Sequence, residues 1–256
     1  MTEKAACENI IAGRHPVKEA ILANRSINKL LVARGTAGAP LGEILNLARE
    51  RGIPVQFVER SHLNGLVKDV PHQGVVAVAA AKEYVSVEDI LAAAYPEAPF
   101  LILLNEITDP HNLGAILRTA DAAGVHGVII TRHRSAALTP AVAKASCGAM
   151  EYVRVARVPN LARTITFLQE RGIWVVGACG TAEDLYWDVR LDGPVALVIG
   201  GEDKGLGRLV RERCDQLVRL PMAGQVSSLN ASVATALLAY EVVRQRRQVH
   251  GRVPDR

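Results

Sequence analysis

Three stretches of this 256-residue chain carry more small polar and charged residues than a turn needs. The first, "NEITDPHNLGAILRTADAAG" over residues 105–124, opens a turn at Asp109-Pro110 and offers Asn112 as a helix cap. Its helix turns Leu113, Ile116, Leu117 and Ala120 inward. Arg118 interrupts that pattern about two turns in, too deep to serve the cap, so it is either a surface arginine lying along the helix or a cation kept for an anion. The second, "LVIGGEDKGLGRLV", ends a buried strand at Ile199 and continues with Gly200, Gly201 and Glu202. It has neither the Lys-Ser/Thr of a P-loop nor a G-x-G-x-x-G fingerprint, so alone it reads as a structural turn. The third, "MAGQVSSLNASVATALLAYEVVRQRR" over residues 222–247, places Gly224, Ser227, Ser228, Asn230 and Ser232 around the entry to an apolar helix. A helix entry needs one cap; Ser228 suits it, which leaves Ser227 and Asn230 over. The surplus is either loop chemistry or a set of groups reserved for a ligand.

The elements that must hold these loops follow from periodicity. In the final helix Leu229, Val233, Leu237 and Tyr240 recur at i, i+4, i+8 and i+11, and this spacing predicts its buried stripe. From Phe100 onward, apolar strands such as "FLILLNE", "GVIIT", "YVRVARV", "IWVVGACG" and "PVALVIG" alternate with helices. Continuous apolar strands between helices predict an α/β fold with a parallel sheet covered on both faces. Such sheets bind ligands in loops at the carboxyl ends of their strands. Residues 1–80 read as a separate small α/β unit, with helices in "HPVKEAILAN" and "LGEILNLARERG" and strands in "NKLLVAR", "IPVQFV" and "GVVAVAA". Residues 81–97, polar, briefly helical and then broken by Pro96, read as a linker, leaving 98–256 as the second domain.

Composition narrows the classes of function. With 49% hydrophobic residues the chain is not a disordered one. No apolar run approaches the about 20 residues of a membrane span, and the first 20 residues lack a signal peptide's apolar region, so a cytoplasmic protein without a membrane partner is expected. Cys7, Cys147, Cys179 and Cys214 lie far apart without a C-x-x-C pair, which points away from zinc or any other metal and from a disulfide framework, and toward buried, reduced thiols. The net charge of +4 divides as +3 over residues 1–80, −3 over 81–97 and +4 over 98–256. Two basic units joined by an acidic connector favour a polyanionic partner met by folded surfaces, since no basic tail is present.

The order of the three stretches is more specific than any one of them. "N-x-x-x-D-P-x-N-x-G-x-I-x-R-T-A" over 105–120, "I-G-G-E-x-x-G" over 199–205 and "P-M-x-G-x-x-x-S-L-N-x-S-x-A" over 221–234 together resemble the three motifs of the SpoU family of RNA ribose 2′-O-methyltransferases, within the SPOUT superfamily. The amino-terminal unit, with "AGRHPVKEAI" and "HQGVVAVA", is similar to the substrate-binding domain of the family's 23S ribosomal RNA guanosine methyltransferases. The resemblance implies a trefoil knot at the carboxyl end, a homodimer, and S-adenosylmethionine bound around Gly200, Leu220 and Leu229 with Ala178 and Gly180 nearby. It also implies a catalytic set of Arg118, Asn112, Glu202, Ser228 and Asn230. Arg118 would grip the phosphate beside the target ribose and orient its hydroxyl; the group that takes the proton is left open, because a guanidinium stays protonated. His111 fills a variable position and reads as a turn residue.

Aromatic residues are scarce before Phe100, so RNA contacts are expected from charge, with Arg14, Lys18, Arg34 and Arg60 as candidates and His15 and His72 as assistants. Two other substrate or class readings compete: a transfer-RNA ribose methyltransferase of the same family, and a noncatalytic RNA-binding protein. A nicotinamide dehydrogenase is disfavoured, since the glycine fingerprint is missing from the first βα turn.

Overall fold

Alternating apolar strands and amphipathic helices assemble into two sheets, of four and seven strands. The computed structural model describes residues 10–67, 71–201 and 205–250. The described residues up to Glu83, together with Ala137–Tyr152, form one unit; Tyr84–Ala136 with the residues from Val153 onward form the other.

The first unit runs β1 (Ile10–Ala12), α1 (Arg14–Leu22), β2 (Ile27–Ala33), α2 (Ala39–Glu50), β3 (Val55–Val58), α3 (Arg60–Leu66) and β4 (Val75–Ala79). The sheet order is β1-β4-β2-β3, with β3 parallel to β2 and the other pairings antiparallel. Val17, Ala20 and Ile21 fall at i, i+3 and i+4, so α1 buries one face together with Leu41, Ile44 and Ala48 of α2 against the sheet. Leu63 and Val67 pack in a separate cluster with Ile10, Leu31 and Val76. Neither β1 nor α3 is apparent in the sequence pattern. The one is three residues long, and the other, "RSHLNGL", buries a single leucine.

The second unit holds α4 (Val87–Ala94), β5 (Phe100–Asn105), α5 (Pro110–Ala122) and β6 (Gly127–Thr131). After α6 (Pro140–Ala145), which belongs to the first unit, come β7 (Val155–Val158), α7 (Leu161–Gln169), β8 (Trp174–Ala178) and β9 (Asp184–Leu185). The chain ends through β10 (Val195–Gly200), α8 (Arg208–Arg213), β11 (Gln216–Arg219) and α9 (Ala231–His250). All seven strands are parallel, in the order β7-β6-β5-β10-β8-β11-β9, which is the expected parallel α/β sheet. The order reverses between β5 and β10, which makes the carboxyl ends of those strands the sheet's switch point. Among the described residues no helix is long and apolar enough to cross a membrane.

Three expectations about this architecture are corrected. Residues 81–97 are not all linker: the chain from Tyr84 belongs to the second unit, where Ser86 and Asp89 form a capping box and α4 buries Val87, Ile90 and Ala94. Ile90 sits so close to Gly127 that a Cβ there would lie 2.5 Å from it. Residues 98–256 are not one body either, because Ala137–Tyr152 packs with the first unit. There Arg25 pairs with the buried Glu151 at 2.5 Å, Lys82 donates to the Glu151 carbonyl at 2.7 Å, and the Tyr152 hydroxyl meets Glu19 at 2.7 Å. A local apolar period reports that a helix has a buried face, not which sheet covers it. The third correction concerns α9. Its buried face is Ala231, Thr235, Leu238, Ala239 and Val242, small enough to lie close on α5 and β10, while the expected stripe of Val233, Leu237 and Tyr240 is 47%, 41% and 52% exposed, with Leu229 also exposed.

Candidate active site

The carboxyl end of β5 is the anchor. Its last residue, the buried Asn105, lies opposite Gly200 in the β5–β10 register, and the Gly201 N–H donates to the Asn105 carbonyl at 2.9 Å. Both glycines are needed there. A Cβ on Gly200 would lie 2.2 Å from the Gly205 carbonyl carbon, and one on Gly201 would lie 2.7 Å from the Glu106 oxygen. Glu106 itself is held at φ 61°, a left-handed conformation that a non-glycine residue adopts only when its surroundings impose it. The first and second motifs are therefore joined main chain to main chain.

The first and third motifs are joined by side chains. Asp109, not Asn112, caps α5: its carboxylate accepts the N–H groups of His111 at 3.0 Å and Asn112 at 3.2 Å. That corrects the expected cap and releases the buried Asn112 amide, which accepts from Asn230 Nδ2 through Oδ1 at 2.9 Å. Asn230 is also the cap of α9, its Oδ1 taking the Ser232 N–H at 2.9 Å and hydroxyl at 2.6 Å. The cap expected of Ser228 thus belongs to Asn230, and Ser228 lies exposed in the preceding loop. One asparagine side chain ends the loop and binds it to α5.

Arg118 projects from α5 as an exposed residue, six positions and about 9 Å of helix beyond Asn112. Glu202 lies outside the described residues. Of the residues expected around a cofactor, Gly200 ends β10, Ala178 ends β8 and Leu220 follows β11, three adjacent strands of the sheet. Leu229 is exposed directly before Asn230, and Gly180 is exposed with nothing within 4 Å of a Cβ placed on it. None of the N–H groups of residues 222–229 bonds another described residue. Main-chain donors without a partner among the described residues, in the loop that follows β11, fit a polar nucleoside-type group.

Burial raises the Cys179 thiol, but hydrogen bonds to Thr181 and Arg211 outweigh it and hold the group below its ordinary pKa. Cys214 behaves oppositely: burial, with Asp215 adding to it, pushes its thiol up to about 12. Cys147, Cys179 and Cys214 are free and half-buried rather than fully buried as expected, and Cys7 lies outside the described residues. No group of three or more His, Cys, Asp or Glu among the described residues could hold a metal.

In the first unit Arg14 and Arg60 line one cleft. Lys18 is paired with Glu43 at 2.6 Å, and Arg34 lies 3.7 Å from Glu59. Sequence reasoning missed Asn105, Glu106 and Asp109 as organisers of the site. The abrupt end of the apolar strand at Asn105 is a readable signal; the left-handed Glu106 has none.

A parallel sheet with a loop-built site at its switch point, carried in one chain with a separate small α/β unit, defines a two-unit α/β protein with a ligand site at its strand ends. Residues 99–240 match the SpoU rRNA Methylase family, and residues 10–85 match the RNA 2′-O ribose methyltransferase substrate binding domain. YacO of Bacillus subtilis (strain 168), a TrmH family protein named for tRNA/rRNA methyl transfer, is 49% identical over 241 residues, covering 93% of this chain and 96% of its own. Among solved structures, the SpoU methyltransferase AviRb from Streptomyces viridochromogenes, in complex with AdoMet, superposes with a TM-score of 0.80 at 28% identity, covering 96% of this chain and 93% of its own. The AdoMet-bound rRNA methyltransferase from Sinorhizobium meliloti gives 0.78 at 25% identity, covering 94% and 89%. The chain belongs to the SpoU methylase family and is an RNA 2′-O-ribose methyltransferase of the TrmH/SpoU kind.

Proposed function

We propose that this protein transfers the methyl group of S-adenosylmethionine to the ribose 2′-hydroxyl of a guanosine in 23S ribosomal RNA, as a cytoplasmic homodimer. The observation that carries the reading is the convergence of three separated motifs at the carboxyl ends of β5 and β10, through the Gly201–Asn105 and Asn230–Asn112 bonds. The cofactor supplies an activated sulfonium methyl. Its adenosine and methionine parts would be held by main chain at Gly200, Leu220 and Leu229, with Ala178 and Gly180 completing the wall.

The chain's own part is positioning, which suits a reaction whose donor is already activated. The Arg118 guanidinium grips the phosphate beside the target ribose and orients the hydroxyl. Asn112 and Asn230 fix α5 against the loop before α9, and Ser228 and Glu202 complete the polar shell. Arg14, Lys18, Arg34 and Arg60 of the first unit hold the RNA through its phosphates. A carboxyl-terminal trefoil knot belongs to this reading; the insertion of β10 between β5 and β8 and the packing of α9 on α5 support it. The exposed apolar stripe of α9 supports the homodimer.

Support for ribosomal RNA comes from the Sinorhizobium meliloti rRNA enzyme, which is covered across both units. The name of YacO favours keeping transfer RNA as the second reading. The test is to map 2′-O-methylation in ribosomal and transfer RNA from a deletion strain and after incubating purified protein with both transcripts. A lost and restored guanosine in 23S RNA is expected; methylation of transfer RNA alone, or of neither, overturns the assignment.

A further inference from the structure

Two sequence segments that the methyl-transfer site does not use, "GRHP" and "HQGV", meet in the first unit. They border a cleft of about 470 Å³ lined by Arg14, Gly35, Thr36, Ala37, Arg60 and Gln73. That volume is within the about 300–1,000 Å³ of small-ligand pockets. Arg14 ties its two walls. The main-chain N–H donates to Gln73 Oε1 at 3.1 Å, Nε to the Gln73 carbonyl at 3.3 Å, and Nη2 to the Ala37 carbonyl at 3.2 Å. Gln73 is held at φ 50°, and Gly74 behind it at φ 83°, where a Cβ would strike the Thr36 hydroxyl at 2.4 Å. Beneath them the buried His72 takes the Gly74 N–H on Nδ1 at 3.0 Å and meets Asn64 Oδ1 at 2.8 Å. The cleft is therefore pre-formed, with backbone strain at its wall.

The groups it presents are one-sided. A main-chain N–H can only donate, so the Gln73 amide turns its oxygen to Arg14 and keeps its NH2 for another partner. Among the described residues Arg60 makes no hydrogen bond or ion pair, and Thr36 Oγ1 is buried without a partner. Among the described residues no carboxylate lines the cleft. Guanidinium, amide NH2 and hydroxyl donors together call for a ligand rich in acceptors.

We propose, on the footing of the RNA reading above, that this cleft seats one nucleotide of the RNA substrate, with Arg60 on its phosphate and Gln73 Nε2 on an acceptor of its base. Guanine, through O6 and N7, and uracil, through its carbonyls, offer acceptors with no amino group beside them, whereas adenine N7 and cytosine N3 accept next to an amino group. The amino groups of adenine and cytosine would face donors. The first unit thereby reads base identity in addition to binding charge.

The test titrates the full-length protein with GMP, UMP, AMP, CMP and inorganic phosphate, followed by ligand-observed NMR. GMP or UMP is expected to bind about tenfold tighter than AMP, CMP or phosphate, and Arg60→Ala and Gln73→Glu are each expected to weaken it by about tenfold. Gln73→Glu keeps an oxygen for the Arg14 N–H and replaces only the NH2, so its unfolding temperature should match the parent's. Equal affinity for all five probes, no binding of any, or parental affinity in both variants overturns the proposal. A base-selective cleft in a protein that methylates no RNA ends the methyl-transfer reading and leaves the cleft standing. Ribose methylation by a protein whose cleft ignores the base ends this proposal alone.

Discussion

Asn230 Nδ2 donates to Asn112 Oδ1 at 2.9 Å across 118 residues of sequence, while Asn230 Oδ1 caps the last helix. One side chain thus sets both where α9 begins and where α5 lies. Replacing Asn230 by Ala removes the cap, at about 1 kcal/mol of stability, and the bond to Asn112 Oδ1. Asn230→Asp keeps the capping oxygen and loses the donor. The Asp variant is expected to unfold close to the parent temperature yet methylate slowly, and the Ala variant to lose on both counts. Parental single-turnover rates in Asn230→Asp would show that the bond is purely structural.

Arg118→Ala is expected to lower single-turnover methylation by about a hundredfold or more, the scale of a lost positioning or charge-stabilising contact. S-adenosylmethionine affinity in calorimetry should change little. Near-parental methylation removes Arg118 from the catalytic set.

Gly200→Val forces a side chain against the Gly205 main chain, 2.2 Å away at its Cβ. The clash falls on the main chain that follows the end of β10, so the circular dichroism spectrum should persist while cofactor binding is abolished. Unchanged affinity would remove the β10 loop from the cofactor wall.

His72 and His126 each accept a main-chain N–H on Nδ1, from Gly74 and from Phe100, both at 3.0 Å. A protonated ring cannot accept there. Burial holds both pKa values below the ordinary 6.5, with Arg60 adding to the effect at His72; at His126 Arg246 and Arg154 act with burial and Glu97 opposes it. The unfolded chain then binds more protons than the folded one just below pH 6.5, so stability is full above that pH and falls as pH drops toward the depressed folded values. Thermal melts at pH 7.5 and 5.5 should show the loss, and a His72→Gln, His126→Gln double variant should show less of it. Equal slopes in both proteins would contradict the argument.

Val233, Leu237 and Tyr240 expose an apolar stripe on α9 that a second copy of the chain would cover. Leu237→Glu is expected to shift the protein from dimer to monomer in sedimentation while leaving the fold intact. A parent that sediments as a monomer would refute the homodimer.

Much of this architecture is legible in the chain. The β-strands in "FLILLNE", "GVIIT" and "PVALVIG" announce themselves as apolar runs, because a strand covered on both faces has no polar side to interrupt it. What fails to show is choice among equivalents. Asp109 and Asn112 can each cap a helix, and only the packing of α9 shows that Asn112 is needed elsewhere. The two apolar stripes of α9 have the same period, and the one with Ala231, Thr235 and Ala239 goes inside because small residues admit a neighbouring helix closely. Ala137–Tyr152 carries no local mark of the unit it joins; its attachments include Arg25–Glu151, a pair separated by 126 residues.

The position of β10, inserted between β5 and β8, bears on biosynthesis. While a ribosome is still making residues 100–190, the nascent chain holds two strands whose shared neighbour does not yet exist. Long-range parallel pairing of this kind comes late and slowly. Translation must pass the third motif before any pocket can close, so a prematurely stopped chain would be an idle one that cannot consume cofactor or mark the wrong RNA.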